Sequence, residues 1–188
     1  MEACEGWPSL GFMEKTKMMA ATHAAFAVLC YYVIAYFARL PIDSLMVLTF
    51  LIIGSLLPDI DHPRTFFIQQ LYLFKHSKRL GKFVMHRGIL HSILATLIAT
   101  AVVWVIAVSY HLETLAVMCF FLGFISHLAI DSLNPAGIRW LQPFSKAKIK
   151  GEIRTGSALE KFLFVVIIVA ISAIVYTMHP EWFSIFWE

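Results

Sequence analysis

The residues of this chain able to do chemistry fall into short groups: His23, then Asp59-Ile60-Asp61-His62, His86-Arg87, His91, His127 with Asp131, and Glu160. Imidazole and carboxylate are the ligands that zinc, manganese and iron take from proteins. A divalent cation would neutralise Asp59, Asp61 and Asp131 and let the imidazoles act as neutral donors. Without one, carboxylates at close range repel and their pKa values rise. Asp59, Asp61, His86, His91, His127 and Asp131 are therefore the candidate metal ligands. They exceed one tetrahedral shell, so two or more ions fit, with zinc expected and manganese the alternative. Paired metals serve phosphoester or amide hydrolysis by clamping the attacking and leaving oxygens.

Each group has a plainer reading beside the chemical one. His127 and Asp131 are an i,i+4 pair on one helical face, aligned with Gly123 a turn earlier. They could share a metal, the carboxylate could orient the imidazole, or the pair could be purely structural. Pro58 and Pro63 bracket Asp59, Asp61 and His62, which stops a helix and holds short ligands rigidly. A polar helix terminus is the competing reading, but carboxylates are disfavoured there by the macrodipole. His86, Arg87 and His91 open an apolar run whose first amides attract an anion. Arg87 adds a fork suited to phosphate, unless it is one more topology charge. His23 is a ligand or proton carrier if its depth matches the others, and otherwise a core histidine. Ser157-Ala158-Leu159-Glu160 fits a capping box, in which Glu160 reaches back to the Ser157 amide. That box competes with a proton-transfer role for Glu160. His76, Ser92 and Asn134 are possible helpers without a signal of their own.

The elements that must position these groups are membrane helices. Hydrophobic residues make up 60% of the 188, charged residues only 14%, and mean hydropathy is +0.76. Soluble domains carry about 25% charge, so the expected class is an all-α polytopic membrane bundle, a single domain over 1–188. Five apolar segments, about 18–38, 40–58, 89–110, 115–133 and 162–178, approach the roughly 20 residues that a span needs. The second contains Asp43, which can serve as its N-cap. With the N-terminus inside and the C-terminus outside, Arg39 alone of the 15 lysines and arginines falls outside, as the positive-inside rule requires. The basic residues thus report topology, and nucleic-acid binding is not expected. Cys4, Cys30 and Cys119 lack metal or disulfide spacing. The inner connections are about 61–88 and 134–157. Residues 66–82 of the first, apolar and basic by turns, form either an interfacial helix or a solvated loop.

On this topology every candidate group lies at the inner end of a segment. Segments that alternate in direction still present ionisable groups to one plane, while Asp43, His111, Glu113, His179 and Glu181 at the outer ends look like caps and solvated termini. Ionisable groups at membrane depth are costly and mark function by default.

At these residues the chain resembles the YdjM family of membrane-bound, metal-dependent hydrolases. The matching pieces are Thr22-His23, Leu57 to Pro63, His86 to Ser92, Ser126 to Asp131 with Asn134 to Gly137, and Gly156 to Glu160. The resemblance implies a hydrolase in the bacterial cytoplasmic membrane, with its site at the cytoplasmic face. The family is distantly similar to zinc-dependent phospholipase C and single-strand nucleases, soluble helical enzymes with a His-xxx-Asp pair like His127 and Asp131. Those enzymes also use an N-terminal amine and a tryptophan as ligands. Here the N-terminus precedes the first span and Trp7 is not placed to substitute, so one or two metals fit better than three.

The expected function is metal-dependent hydrolysis of a phosphoester or related bond in a lipid or amphiphile. The six ligands would hold metal, Arg87 would orient the substrate anion, and His23 or Glu160 would move a proton. A metal transporter or metal sensor without hydrolytic activity is the alternative, although transporters place ligands near the bilayer midplane. Neither HExxH nor GxSxG occurs.

Overall fold

Long apolar runs without alternation or internal turn residues favour helix over strand, and helix dominates the structure. The computed structural model describes residues 10–61 and 89–186, with side chains over 20–59 and 90–183. Among the described residues there are five α-helices: α1 (Leu10–Ala38), α2 (Leu45–Leu56), α3 (Ile93–Ser109), α4 (Thr114–Ser132) and α5 (Ala158–Met178). Short 3-10 turns follow α2 (Leu57–Asp61), precede α3 (Ile89–His91) and follow α5 (Pro180–Phe186).

Among the described residues three helices are long and apolar enough to cross a membrane: Ala20–Ala38 within α1, and all of α4 and α5. The other two apolar helices are shorter than the expected segments, 12 residues for α2 and 17 for α3. Their caps explain the difference. Ser44, rather than Asp43, caps α2, its hydroxyl accepting from the Val47 amide at 3.4 Å. At the other end Pro58, which has no N–H, turns the chain into a 3-10 turn. Ser92 caps α3 by accepting from the Ala95 amide at 3.2 Å, which leaves His91 ahead of the helix. The far ends of α1 and α3 close differently. Arg39 and His111 adopt φ of 55° and 54°, and the next amides bond back to Ala35 and Ala107 at 3.1 and 2.8 Å, the wide closing bond of a left-handed helix stop.

Helix α4 is the hub, packing on α1, α2 and α3, while α5 leans on α1. Helices α2 and α4 cross with their backbones in close approach. A Cβ on Gly54 would come 2.2 Å from the Phe120 carbonyl oxygen, and one on Gly123 would come 2.1 Å from that of Leu51. Small residues that let helix backbones touch are the usual solution where lipid removes the hydrophobic drive between helices. Tyr31, Ala35, Ile42, Val47, Leu51 and Cys119 close the core on one side of this contact. Ala95, Phe120, Phe124, Leu128 and Ile138 close it on the other. Cys30 and Cys119 carry free thiols. The remaining faces of α3 and α5 turn Leu97, Ile98, Val102, Val105, Val165 and Val169 outward, as helices bathed in hydrocarbon do.

Residues 133–157 double back beneath α4 through a single antiparallel bridge between Ile138 and Ile149. Residues 66–82, read as either an interfacial helix or a solvated loop, lie outside the described residues.

Candidate metal centre

His127 defines the site. It is fully buried on α4, one turn beyond Gly123, so the contact that Gly123 permits brings α2 against its ring. There Nδ1 lies 2.7 Å from the Ser55 carbonyl oxygen. That carbonyl is available for a local reason: the amide three residues on belongs to Pro58, which has none. Since a carbonyl only accepts, Nδ1 carries the proton, and Nε2 presents its lone pair. This is the tautomer and the backbone anchor typical of a metal-ligating histidine.

Three further side chains meet that lone pair. Asp59 comes from the 3-10 turn after α2, His91 from the turn before α3, and Asp131 from the next turn of α4. One ligand atom from each of Asp59, His91, His127 and Asp131 lies within 4.8 Å of the other three. Asp59 Oδ1 is 3.5 Å from His91 Nε2 and 3.7 Å from His127 Nε2. Asp131 Oδ2 is 3.9 Å from both nitrogens. These separations sit at or beyond the limit of a hydrogen bond. A tetrahedron on metal–ligand bonds of about 2.0–2.2 Å has edges of about 3.3–3.6 Å; the four His–Asp edges come within a few tenths of an ångström of that range, and the other two pairs lie within 4.8 Å. Among the described residues, Nε2 of His91 and of His127 are buried without a hydrogen-bond partner. Buried polar atoms are normally satisfied; two imidazole nitrogens left so, facing two carboxylates, fit one divalent cation.

His23 adjoins this group. Its ring stacks on that of His127, with centroids 4.1 Å apart and planes at 17°, and its Nε2 lies 3.5 Å from Asp131 Oδ1. Asp131 therefore faces the ligand group with one oxygen and His23 with the other. His23 Nδ1, buried, has no hydrogen-bond partner among the described residues. Beyond it lies a cavity of about 30 Å³ lined by Thr22, His23, Asp131, Asn134, Thr155 and Glu160, among others. That is room for a water molecule or two.

Glu160 is buried at the start of α5 and is held by three hydrogen bonds. Ser157 caps the helix by accepting from the Glu160 amide at 3.2 Å. One carboxylate oxygen accepts from the Thr22 hydroxyl at 3.2 Å, and the other from the Gly156 amide. The capping box thus closes on Gly156 rather than on the expected Ser157 amide. Gly156 sits at φ 76°, which turns its N–H toward the carboxylate. Thr22, next to His23 in sequence, ties α1 to α5; the Thr22-His23 dipeptide was visible, but its partner was not. Of the possible helpers, Ser92 is a helix cap. Asn134 organises the loop, donating to Thr155 Oγ1 at 2.8 Å and accepting from the Ala136 amide at 3.1 Å.

The structure thus brings Asp59, His91, His127, Asp131 and His23 together, with Glu160 on the far wall of the adjoining cavity. The side chain of Asp61, and all of His62, His76, His86 and Arg87, lie outside the described residues. At the opposite end of the bundle His179 pairs with exposed Glu181 at 2.8 Å, an ordinary surface pair.

Two curated relatives, each called inner membrane protein YdjM, from Escherichia coli (strain K12) and Shigella flexneri, are both 37% identical over 93 residues. The match covers 49% of this chain and 46% of each relative, so it spans about half the length of either. No solved structure matches the chain. The model of the family described as YdjM inner membrane protein matches residues 18–187, and the chain belongs to that family.

Proposed function

We propose that this protein is a membrane-embedded, metal-dependent hydrolase acting on a phosphoester or related bond of a lipid or amphiphile, at the cytoplasmic face of a bacterial inner membrane. One observation carries the reading: four ligand atoms from three separate stretches of chain surround one centre, and the tautomer of His127 is set by a backbone carbonyl. A purely structural His–Asp pair needs no third and fourth partner.

Asp59, His91, His127 and Asp131 would hold the ion, zinc or manganese. When bound, such an ion supplies Lewis acidity and lowers the pKa of a coordinated water to about 7 on zinc. His23, whose Nε2 faces the Asp131 carboxylate and so carries a proton, would accept a further one at Nδ1, and the adjoining cavity would give that proton a route to the polar loop. Glu160 lines the same cavity; with both oxygens already accepting hydrogen bonds, we assign it to hold α1 and α5 in register around His23. Arg87 is assigned to orient the substrate anion, and His86 and Asp61 to a second ion or to water. The apolar outer faces of α3 and α5 suit a substrate that arrives through the lipid.

The test has two readouts on full-length protein purified in detergent. Metal content by plasma mass spectrometry should show at least one zinc or manganese ion per chain, lost in an Asp59→Ala/His127→Ala variant. The loaded protein should release phosphate or a phosphorylated headgroup from some member of a phospholipid panel. A wild type that stays metal-free after incubation with both ions ends the metal-centre reading. A metal-loaded protein inactive across the panel ends the phosphoesterase reading alone.

A further inference from the structure

The segment between α4 and α5 carries a surface that the metal centre does not use. Its base is rigid. Ile138 and Ile149 exchange backbone hydrogen bonds at 2.8 and 2.9 Å, and the Ile153 amide bonds to the Leu133 carbonyl at 2.8 Å. Gly137, at φ 62°, lies so close that a Cβ would meet the Ile149 carbonyl oxygen at 2.4 Å. Ile138 is fully buried against Phe120, Phe124 and Leu128. The Trp140 indole donates to Ser132 Oγ at 2.7 Å, and its carbonyl accepts from the Ile93 amide at 2.9 Å. The hairpin is therefore fixed to the end of α4 and the start of α3.

Its tip has the opposite character. Phe144 is 84% exposed and Leu141 54% exposed. Arg139, Lys146, Lys148 and Lys150 are exposed around them, and no acidic residue occurs from 139 to 150. A firmly held loop gains nothing from displaying a phenylalanine and a leucine to water. Apolar tips among lysines suit the boundary between acyl chains and headgroups, where the ring enters the hydrocarbon edge and ammonium groups reach phosphates. The hairpin also leaves the bundle where the long apolar helices α4 and α5 end and begin, so such a boundary lies beside it.

We propose that the 138–150 hairpin is an interfacial foot that binds the anionic headgroups of the leaflet at the metal-centre end of the bundle, with Phe144 and Leu141 inserted and Lys146, Lys148 and Lys150 on the phosphates. This holds whether or not the protein is a hydrolase.

The test uses the full-length protein in nanodiscs of phosphatidylglycerol and phosphatidylcholine, with the photo-crosslinking analogue benzoylphenylalanine in place of Phe144. A second chain carries it in place of Val105, 65% exposed on α3, as a lipid-facing control. Intact-mass spectrometry after illumination should show lipid adducts at both positions. At 144 the ratio of phosphatidylglycerol to phosphatidylcholine adducts should exceed that of the mixture at least about fivefold, the order expected from one lysine near an anionic surface. The enrichment should vanish in Lys146→Gln/Lys148→Gln/Lys150→Gln, whose replaced side chains are all exposed. Adducts at 105 without any at 144 would overturn the proposal. So would adducts at 144 in the proportions of the mixture, or their replacement by a protein adduct when a cytosolic extract is added, which would make the tip a protein-docking site instead.

Discussion

A histidine inside an apolar helix has few ways to satisfy both ring nitrogens, and His127 solves half of the problem with the Ser55 carbonyl at 2.7 Å. The other nitrogen is left for a ligand, so His127→Ala should abolish metal binding outright rather than weaken it. Asp131→Asn tests a subtler point. It keeps the shape but removes the charge that both the cation and His23 face, at 3.5 Å from His23 Nε2, so metal affinity should fall by 10-fold or more by equilibrium dialysis. His23→Gln separates roles. Because His23 lies outside the four-ligand group, the variant should retain its metal by mass spectrometry. If the proposed proton transfer holds, it should lose on the order of 10²–10⁴ in turnover. Loss of metal in His23→Gln would instead place that ring in the coordination shell. The types of these residues were legible in the sequence, because imidazoles and carboxylates are too costly at membrane depth to be incidental. The tautomer was not legible, since it rests on a main-chain carbonyl that no side-chain pattern announces.

The site depends on where helices stop as much as on which residues they carry. Asp59 and His91 both stand just outside a helix, one beyond Pro58 and the other ahead of the Ser92 cap, and each is therefore free to turn inward. The prolines were readable as stops, and the i,i+4 pair of α4 as one face. What pattern could not give was how closely α2 and α4 approach, because a glycine in an apolar run is ambiguous until its neighbour is known. Here Gly123→Ala would put a methyl 2.1 Å from the Leu51 carbonyl oxygen, and backbone cannot yield as a side chain can. Overpacking of this kind costs about 1–3 kcal/mol. The variant should unfold at a lower temperature in detergent and bind metal more weakly, since pushing α2 away also withdraws Ser55 and Asp59 from His127. Thr22→Val is the complementary test at the α1–α5 contact. It leaves the buried Glu160 carboxylate one donor short, a change worth about 1–3 kcal/mol, while Asp59, His91, His127 and Asp131 keep their places. Melting temperature should drop with metal content intact; loss of metal would show that the α1–α5 tie also holds the ligand group together.

At the scale of the whole molecule, the chain returns to the same end of the bundle from every direction. The 3-10 turn after α2, the turn before α3, the last turns of α4 and the first of α5 all meet there, beside His23 of α1. The basic residues follow the same geometry: among the described residues, every lysine and arginine but Arg39 belongs to a segment at that end. Arg39 and His111 mark the other end, where helices close on left-handed residues. Since cytoplasmic segments hold the excess of lysine and arginine, the metal-centre end should face the cytoplasm, and labelling can decide this. In a background with Cys4, Cys30 and Cys119 replaced by serine, a cysteine at exposed Ala147 reports the hairpin end. One at exposed Glu113, whose side chain makes no capping bond to α4, reports the other. A membrane-impermeant maleimide applied to intact spheroplasts should modify position 113 and reach 147 only after the membrane is opened. Labelling of 147 in intact cells would invert the molecule. The metal centre and the lysine-bearing hairpin would then face the outside together, because Ile138 on α4 and Trp140 at the head of α3 fasten them to one end of one rigid bundle.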